Sequence, residues 1–212
     1  HLCPTNYLEG GNENADTTFV TGPTTTIFND KLLLVTSDNF FPAVEMRVAR
    51  EARSVLRAFY GVNLFFPFAN AYSDGTFQCT DNQFSGRIPQ FFTDNCKLLT
   101  GDPAWKGVAW PSWFFSNNWH HLMFYAVASK CAKPISPACI ASGGMLTVNT
   151  MPSPNNNNRA LIIAPGRALP GQAPRAAVTD FLEDTENTNG DSTYTNSAVT
   201  PTANDRLVVV SP

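Results

Sequence analysis

The sequence predicts an α+β fold: one long helix near the N-terminus packed on an antiparallel β-sheet, with long loops pinned by disulfides. Three observations point there. A single helical stripe recurs at a seven-residue spacing; four short apolar runs follow it, separated by turn chemistry; and five cysteines lie among stretches dense in Asn, Pro, Gly and aromatic residues.

The helix is expected at about 38–61, with Ser37, Asp38 or Asn39 as its cap, Pro42 tolerated near the start and Gly61 as its stop. Phe41, Val48, Val55 and Val62 recur every seven positions, flanked by Val44, Ala52 and Phe59, so this face is predicted to pack on the sheet. Arg47, Arg50, Arg53 and Arg57 fall mostly on other faces. They read as a solvated surface partly paired with Glu45 and Glu51, and Arg47, Arg50 and Arg57 as a candidate interface with neighbouring subunits.

Residues 62–118 read as an irregular segment packed through Phe65, Phe66, Trp105, Trp110 and Trp113. Strands are predicted at 121–127, 145–148, 160–163 and 207–210. Ser142-Gly143-Gly144 separates the first two, and Pro154 with Asn155, Asn156, Asn157 and Asn158 separates the next. The connections are too short for parallel crossovers, so the sheet should be antiparallel.

The two ends of the chain repeat each other. Asn29-Asp30-Lys31-Leu32-Leu33-Leu34-Val35 aligns without gaps to Asn204-Asp205-Arg206-Leu207-Val208-Val209-Val210, an offset of 175 positions (205 minus 30). Upstream, Tyr7-Leu8-Glu9 matches Phe181-Leu182-Glu183, Glu13-Asn14 is aligned with Glu186-Asn187, Asp16 with Asp191 and Thr18-Phe19 with Thr193-Tyr194. Each copy is a polar loop, an Asn-Asp corner and a strand-like aliphatic run. Residues 1–36 are therefore expected to be the loop-and-strand tail of a preceding module whose body lies upstream of His1, and 37–212 a nearly complete second module.

Composition narrows the function. The 212 residues are 43% hydrophobic, enough for a substantial core, but only 15% charged, with a net charge of −3. Such a chain has no basic field for nucleic acid or anionic membranes. No run approaches the roughly 18 to 20 apolar residues that span a bilayer, so a membrane would be reached only through an anchor upstream. Cys3, Cys79, Cys96, Cys131 and Cys139 form no CxxC pair, and with three histidines a structural zinc site is poorly supported. Local spacing suggests Cys79 with Cys96 and Cys131 with Cys139 as disulfides of an exported protein, leaving Cys3 without a mate. No Asn-X-Ser/Thr sequon occurs, which favours a bacterial origin.

Catalytic constellations are not found. His120 and His121 are the only internal histidines and adjoin an apolar strand; GxSxG, HExxH, P-loop and GxGxxG patterns are missing. Glu183, Asp184 and Glu186 pair carboxylates in a loop without an aromatic cleft. That loop gathers oxygen donors at Asp184, Glu186, Asn189 and Asp191, the ligand type a hard cation such as calcium prefers, although the EF-hand spacing is lacking; a hydrogen-bonded surface loop is the alternative. No other cofactor is indicated, and no enzymatic activity is expected.

Several stretches carry a resemblance: Trp113-Phe114-Phe115-Ser116-Asn117-Asn118-Trp119, YAVA at 125–128, LTVN at 146–149, ALIIAPGRAL at 160–169 and the closing NDRLVVV. With a helix leading into an aromatic loop and a sheet, the chain resembles the type IV pilin and type II secretion pseudopilin families over residues 37–212. The Gly-Phe processing site and apolar N-terminal helix of those families are not in this sequence. The resemblance implies a pilin-like, minor or tandem-module subunit of an extracellular filament or pseudopilus. It would sit at the bacterial cell surface or in the periplasm, with other pilin-like subunits or copies of itself as partners. It also raises the expectation of calcium in the C-terminal loop. The competing reading is a surface adhesin or carbohydrate-binding head with Trp105, Trp110, Trp113 and Trp119 as an aromatic platform.

Overall fold

A computed structural model describes residues 12, 18–25, 31, 33–92, 104–132, 139 and 144–211. The chain divides into two units, His1–Phe40 and Phe41–Pro212. In sequence order the elements are α1 (Ser37–Asn63), β1 (Ser85–Arg87), α2 (Ser112–Ser116), β2 (Phe124–Val127), β3 (Thr147–Val148), β4 (Ala160–Ala164), α3 (Thr185–Thr188), β5 (Thr193–Tyr194) and β6 (Arg206–Ser211).

Helix α1 starts one residue earlier than predicted because the cap is Thr36, whose Oγ1 accepts from the Asn39 backbone N–H at 3.3 Å. It also runs past Gly61. Leu64 adopts φ 61 and donates its backbone N–H to Tyr60 O at 2.8 Å, so a left-handed leucine closes the helix where a glycine was expected. Val48, Ala49, Ala52, Val55, Leu56 and Phe59 are buried, Val44 is half-buried, and the outer members of the expected stripe, Phe41 and Val62, are exposed. Burying such side chains is worth roughly 1.5–3 kcal/mol each for the larger ones.

The main sheet has the order β1-β2-β4-β6, antiparallel throughout. Phe124 faces Ile163, Ala126 faces Leu161, and Ile163 in turn faces Leu207. Every residue of β2 and β4 is buried, as expected of central strands covered on both faces. Their segments therefore read as continuous apolar runs. Strand β1 escapes sequence reading because Ser-Gly-Arg has no apolar signal. Gly86 is required there: a Cβ at this position would lie 2.0 Å from the Asn70 carbonyl oxygen. The strand expected at 121–127 begins only at Phe124, since Trp119–His121 forms a 3-10 turn. A second, two-stranded sheet pairs β3 with β5, and this pair is parallel, contrary to the antiparallel expectation.

Cys131 and Cys139 are joined by a disulfide, which closes a short loop after β2. Cys79 is buried and also disulfide-bonded; Cys96, its expected partner, lies outside the described residues, as does Cys3.

Candidate functional site

The loop after β4, the loop before α3 and the start of β6 converge on a cluster of charged and amide groups within the second unit. Its centre is Asp205, buried at the Asn-Asp corner that opens β6. Its Oδ2 accepts from the backbone N–H of Glu183 at 3.1 Å, that of Asp184 at 3.4 Å and Asn187 Nδ2 at 3.4 Å. Beside it, Asn204 donates its backbone N–H to Glu183 Oε2 at 2.8 Å and its Nδ2 to the Arg167 carbonyl at 2.8 Å. Glu183 Oε1 accepts from Gln172 Nε2 at 2.7 Å. Arg175 completes the cluster, donating Nη1 to the Gly166 carbonyl at 2.9 Å and Nη2 to Gln172 Oε1 at 3.2 Å, with its guanidinium 5.0 Å from the centre of the Phe181 ring.

Close packing dictates residue type at one corner of this site. Gly166 has φ +69, and a Cβ there would meet the Asn204 side chain at 2.4 Å. Only glycine combines that left-handed backbone with that approach.

Helix α1 contributes Glu45, which is 1% exposed and whose Oε1 has no hydrogen-bond partner. Burial raises its pKa to about 7, opposed by the positive charges of Arg175 and Arg206. The Asp205 carboxyl is also pushed up, first by burial and then by the negative Glu183, against the hydrogen bonds from Asn187 and Asp184. Arg175 is lowered by burial and held up by Glu183, Glu45 and Asp205. Perturbed carboxyls often mark functional sites. Here Glu45 Oε1, Asp205 Oδ1, Asn204 Oδ1 and Arg175 Nε are buried without a hydrogen-bond partner, while the bonds that Asp205 and Asn204 do make to Glu183, Asp184 and Arg167 backbone and side-chain groups act as a lock that fastens the C-terminal segment to the end of β4. Glu45 was expected on the solvated helix surface, partly paired with the arginines, and the structure places it in the core instead.

The residues proposed for calcium serve the same local architecture. Asp184 Oδ1 accepts from the Glu186 N–H as the cap of α3, and its Oδ2 accepts from Ser197 Oγ. Asn189 Oδ1 accepts from the Asp191 N–H, and Asp191 Oδ1 from the Thr193 N–H. Among the described residues no three His, Cys, Asp or Glu side chains gather in a way that would hold a metal ion. The second copy of the repeat is stabilised by a different device, a two-bond clamp: Asn187 Nδ2 donates to Thr195 O at 3.1 Å and its Oδ1 accepts from Thr195 N–H at 3.0 Å. Asn12 grips Val20 in the same way, at 3.0 and 2.7 Å. Both clamps span eight residues and lie 175 positions apart (187 minus 12, 195 minus 20). Asn12 is thus the counterpart of Asn187, and the alignment of Glu13-Asn14 with Glu186-Asn187 slips by two.

The other candidates separate. Arg47 and Arg50 are exposed. Arg57 is not a free contact, because its Nε donates to the Val210 carbonyl of β6. Trp105 is buried, and Trp110, Trp113 and Trp119 are half-buried against the core. Trp105 meets Phe59, Phe92 and Trp110 edge-on, and Trp110 lies 4.3 Å from Phe114 between ring centres. None of the four is the open face that a sugar platform needs. His120 is buried between Phe77 and Phe115; burial, then His121 and Arg87, lower its pKa to about 4, so it is neutral at neutral pH. His121 stacks on Phe77 with 3.9 Å between ring centres. No family model, curated protein or solved structure matches the chain.

Proposed function

We propose that the chain is a structural subunit of a bacterial extracellular filament or pseudopilus, assembling with pilin-like subunits or with copies of itself. The observation that carries this reading is the division of labour on α1. One face, from Val48 to Phe59, is buried in the core with an antiparallel sheet, while Arg47 and Arg50 remain exposed on a surface with few other charges. In a chain that is 15% charged, two exposed cations on a rigid helix are orienting contacts for an acidic neighbour. The polar interior groups support the same reading, because they hold the C-terminal loops in place. The resemblance of residues 113–119, 125–128, 146–149 and 160–169 to pilin-like stretches supports the same reading, which carries export and surface placement with it.

The test is a double charge reversal, Arg47→Glu with Arg50→Glu. The protein should keep its melting temperature and lose incorporation into filaments or co-purification with partner subunits. Unimpaired assembly by the folded variant would refute a helix-mediated interface.

A further inference from the structure

His120 is 1% exposed, and neither of its ring nitrogens has a hydrogen-bond partner. A neutral imidazole carries one N–H and one acceptor lone pair, so leaving both unmet in the interior is costly, and the cation, with two N–H donors to satisfy, is costlier still. Its surroundings give no relief. The ring meets Phe77 and Phe115 edge-on, with centres 4.8 and 5.1 Å away, and His121 at 4.4 Å. Phe77 stacks in turn on His121 at 3.9 Å and carries the Arg87 guanidinium 5.5 Å from its centre. Among the described residues, the charged and titratable groups that act on His120 are His121, on its own turn, and Arg87, from β1; both oppose a positive charge there.

The turn that carries His120 is closed by short-range bonds. The backbone N–H groups of His121, Leu122 and Met123 donate to the carbonyls of Asn118, Trp119 and Trp119 at 3.0, 3.0 and 2.9 Å. These bonds are internal to residues 118–123, so contact with the Phe77 loop is made by the two imidazole rings. Phe77 itself is held at φ 54, a left-handed conformation that a bulky residue keeps only where its surroundings enforce it. We propose that His120 is a proton-operated latch: neutral, it holds the Trp119–His121 turn against the Phe77 loop, and protonated, in a mildly acidic medium, it leaves its niche and frees both. Opening gives the imidazolium water on both nitrogens, draws it away from Arg87, lets Phe77 leave its left-handed backbone and bares the Phe77 and Phe115 rings. Burial and the two neighbours lower the His120 pKa from 6.5 to about 4, so the closed state is fully favoured above about pH 6.5 and loses ground as pH falls toward 4. This inference stands apart from the filament reading, since it invokes neither Arg47 nor Arg50.

Hydrogen exchange on the intact chain tests it. From pH 8 to pH 5, after correction for intrinsic exchange, the opening equilibrium reported by amides 121–123 should rise about 30-fold, the ratio required by a pKa of 6.5 when open and about 4 when closed, while the amides of β4 keep a higher protection at both pH values. His120→Phe, which leaves an aromatic ring in the niche and cannot take a proton, should abolish the rise, and His121→Gln should retain it. Ring-proton NMR of the parent protein needs no variant: the His120 imidazole should stay neutral down to about pH 5. A pH-independent opening at 121–123 would overturn the proposal, as would a rise that survives His120→Phe or disappears in His121→Gln. Amides 121–123 as protected as β4 at pH 5 would overturn it too, since the turn would then open only with the whole molecule, and so would a His120 ring that titrates near 6.5 while the turn stays closed.

Discussion

Glu45 offers the sharpest test of the buried cluster. Its carboxyl lies in the core, with one oxygen lacking a hydrogen-bond partner and a pKa raised from 4.5 to about 7 by burial. The native state thus keeps a proton that the unfolded chain releases between about pH 4.5 and 7. Stability must fall as pH rises through that window and level off above it. The displacement corresponds to roughly 3 kcal/mol at pH 8. Glu45→Gln removes the ionisation while keeping the shape. The new amide has its own hydrogen-bonding demand, costing about 1 kcal/mol, and the variant should therefore gain about 2 kcal/mol at pH 8, or roughly 4–8 °C in melting temperature. At pH 4.5 and below the gain should give way to a deficit of about 1 kcal/mol, because the native Glu45 is then protonated and equally neutral and only the cost of the amide remains. Thermal melts of both proteins from pH 4 to 8 measure this directly. A variant less stable than the parent at pH 8 would show that Glu45 is ionised and held by Arg175 and Arg206, and an equal gain at both ends would sever the effect from titration.

Gly166→Ala should destabilise by about 2–3 kcal/mol, combining a left-handed alanine with the loss of the Asn204 bond to Arg167 O, and chemical denaturation would register it; a neutral result would refute the lock. Cys131→Ser should cost about 2.5 kcal/mol from the chain entropy of an eight-residue loop, read as a lower denaturation midpoint with an unchanged fold by circular dichroism. Calcium and chelator should give superimposable melting curves, since Asp184, Asn189 and Asp191 are spent on caps and turns; a calcium-dependent rise lost in Asp191→Ala would reverse that assignment.

Much of the fold was legible because its signals are local. The seven-residue spacing located α1 to within two residues at each end, and β4 and β6 stood out as unbroken aliphatic runs. What escaped depends on contacts between distant segments. Strand β1 is Ser-Gly-Arg, held by backbone pairing with β2 and with Asn70. Glu45 looked like a surface residue because its neighbours at Arg47 and Arg50 are, yet the helix turns it inward beneath residues 130 and more positions later. The four tryptophans read first as packed wall and second as platform, and only packing distinguishes the two. For the polar loop, the oxygen donors were visible but their targets were not: a run of Asp and Asn reads alike whether it holds a cation or its own backbone.

The Asn204-Asp205 corner stands before a featureless aliphatic run. Leu207-Val208-Val209-Val210 has no alternation of apolar and polar positions, so hydrophobicity alone scarcely distinguishes the correct pairing with β4 from one shifted by a residue. A shift would exchange the faces of the strand, turning Val208 and Val210 outward. The corner removes the ambiguity. Asp205 engages two backbone N–H groups and Asn187, while Asn204 engages Glu183 and the Arg167 carbonyl just beyond β4. Slipping the strand would break all five bonds and leave a buried carboxyl without donors, a cost of several kcal/mol. The burial that raises the Asp205 pKa is therefore the cost of a register pin.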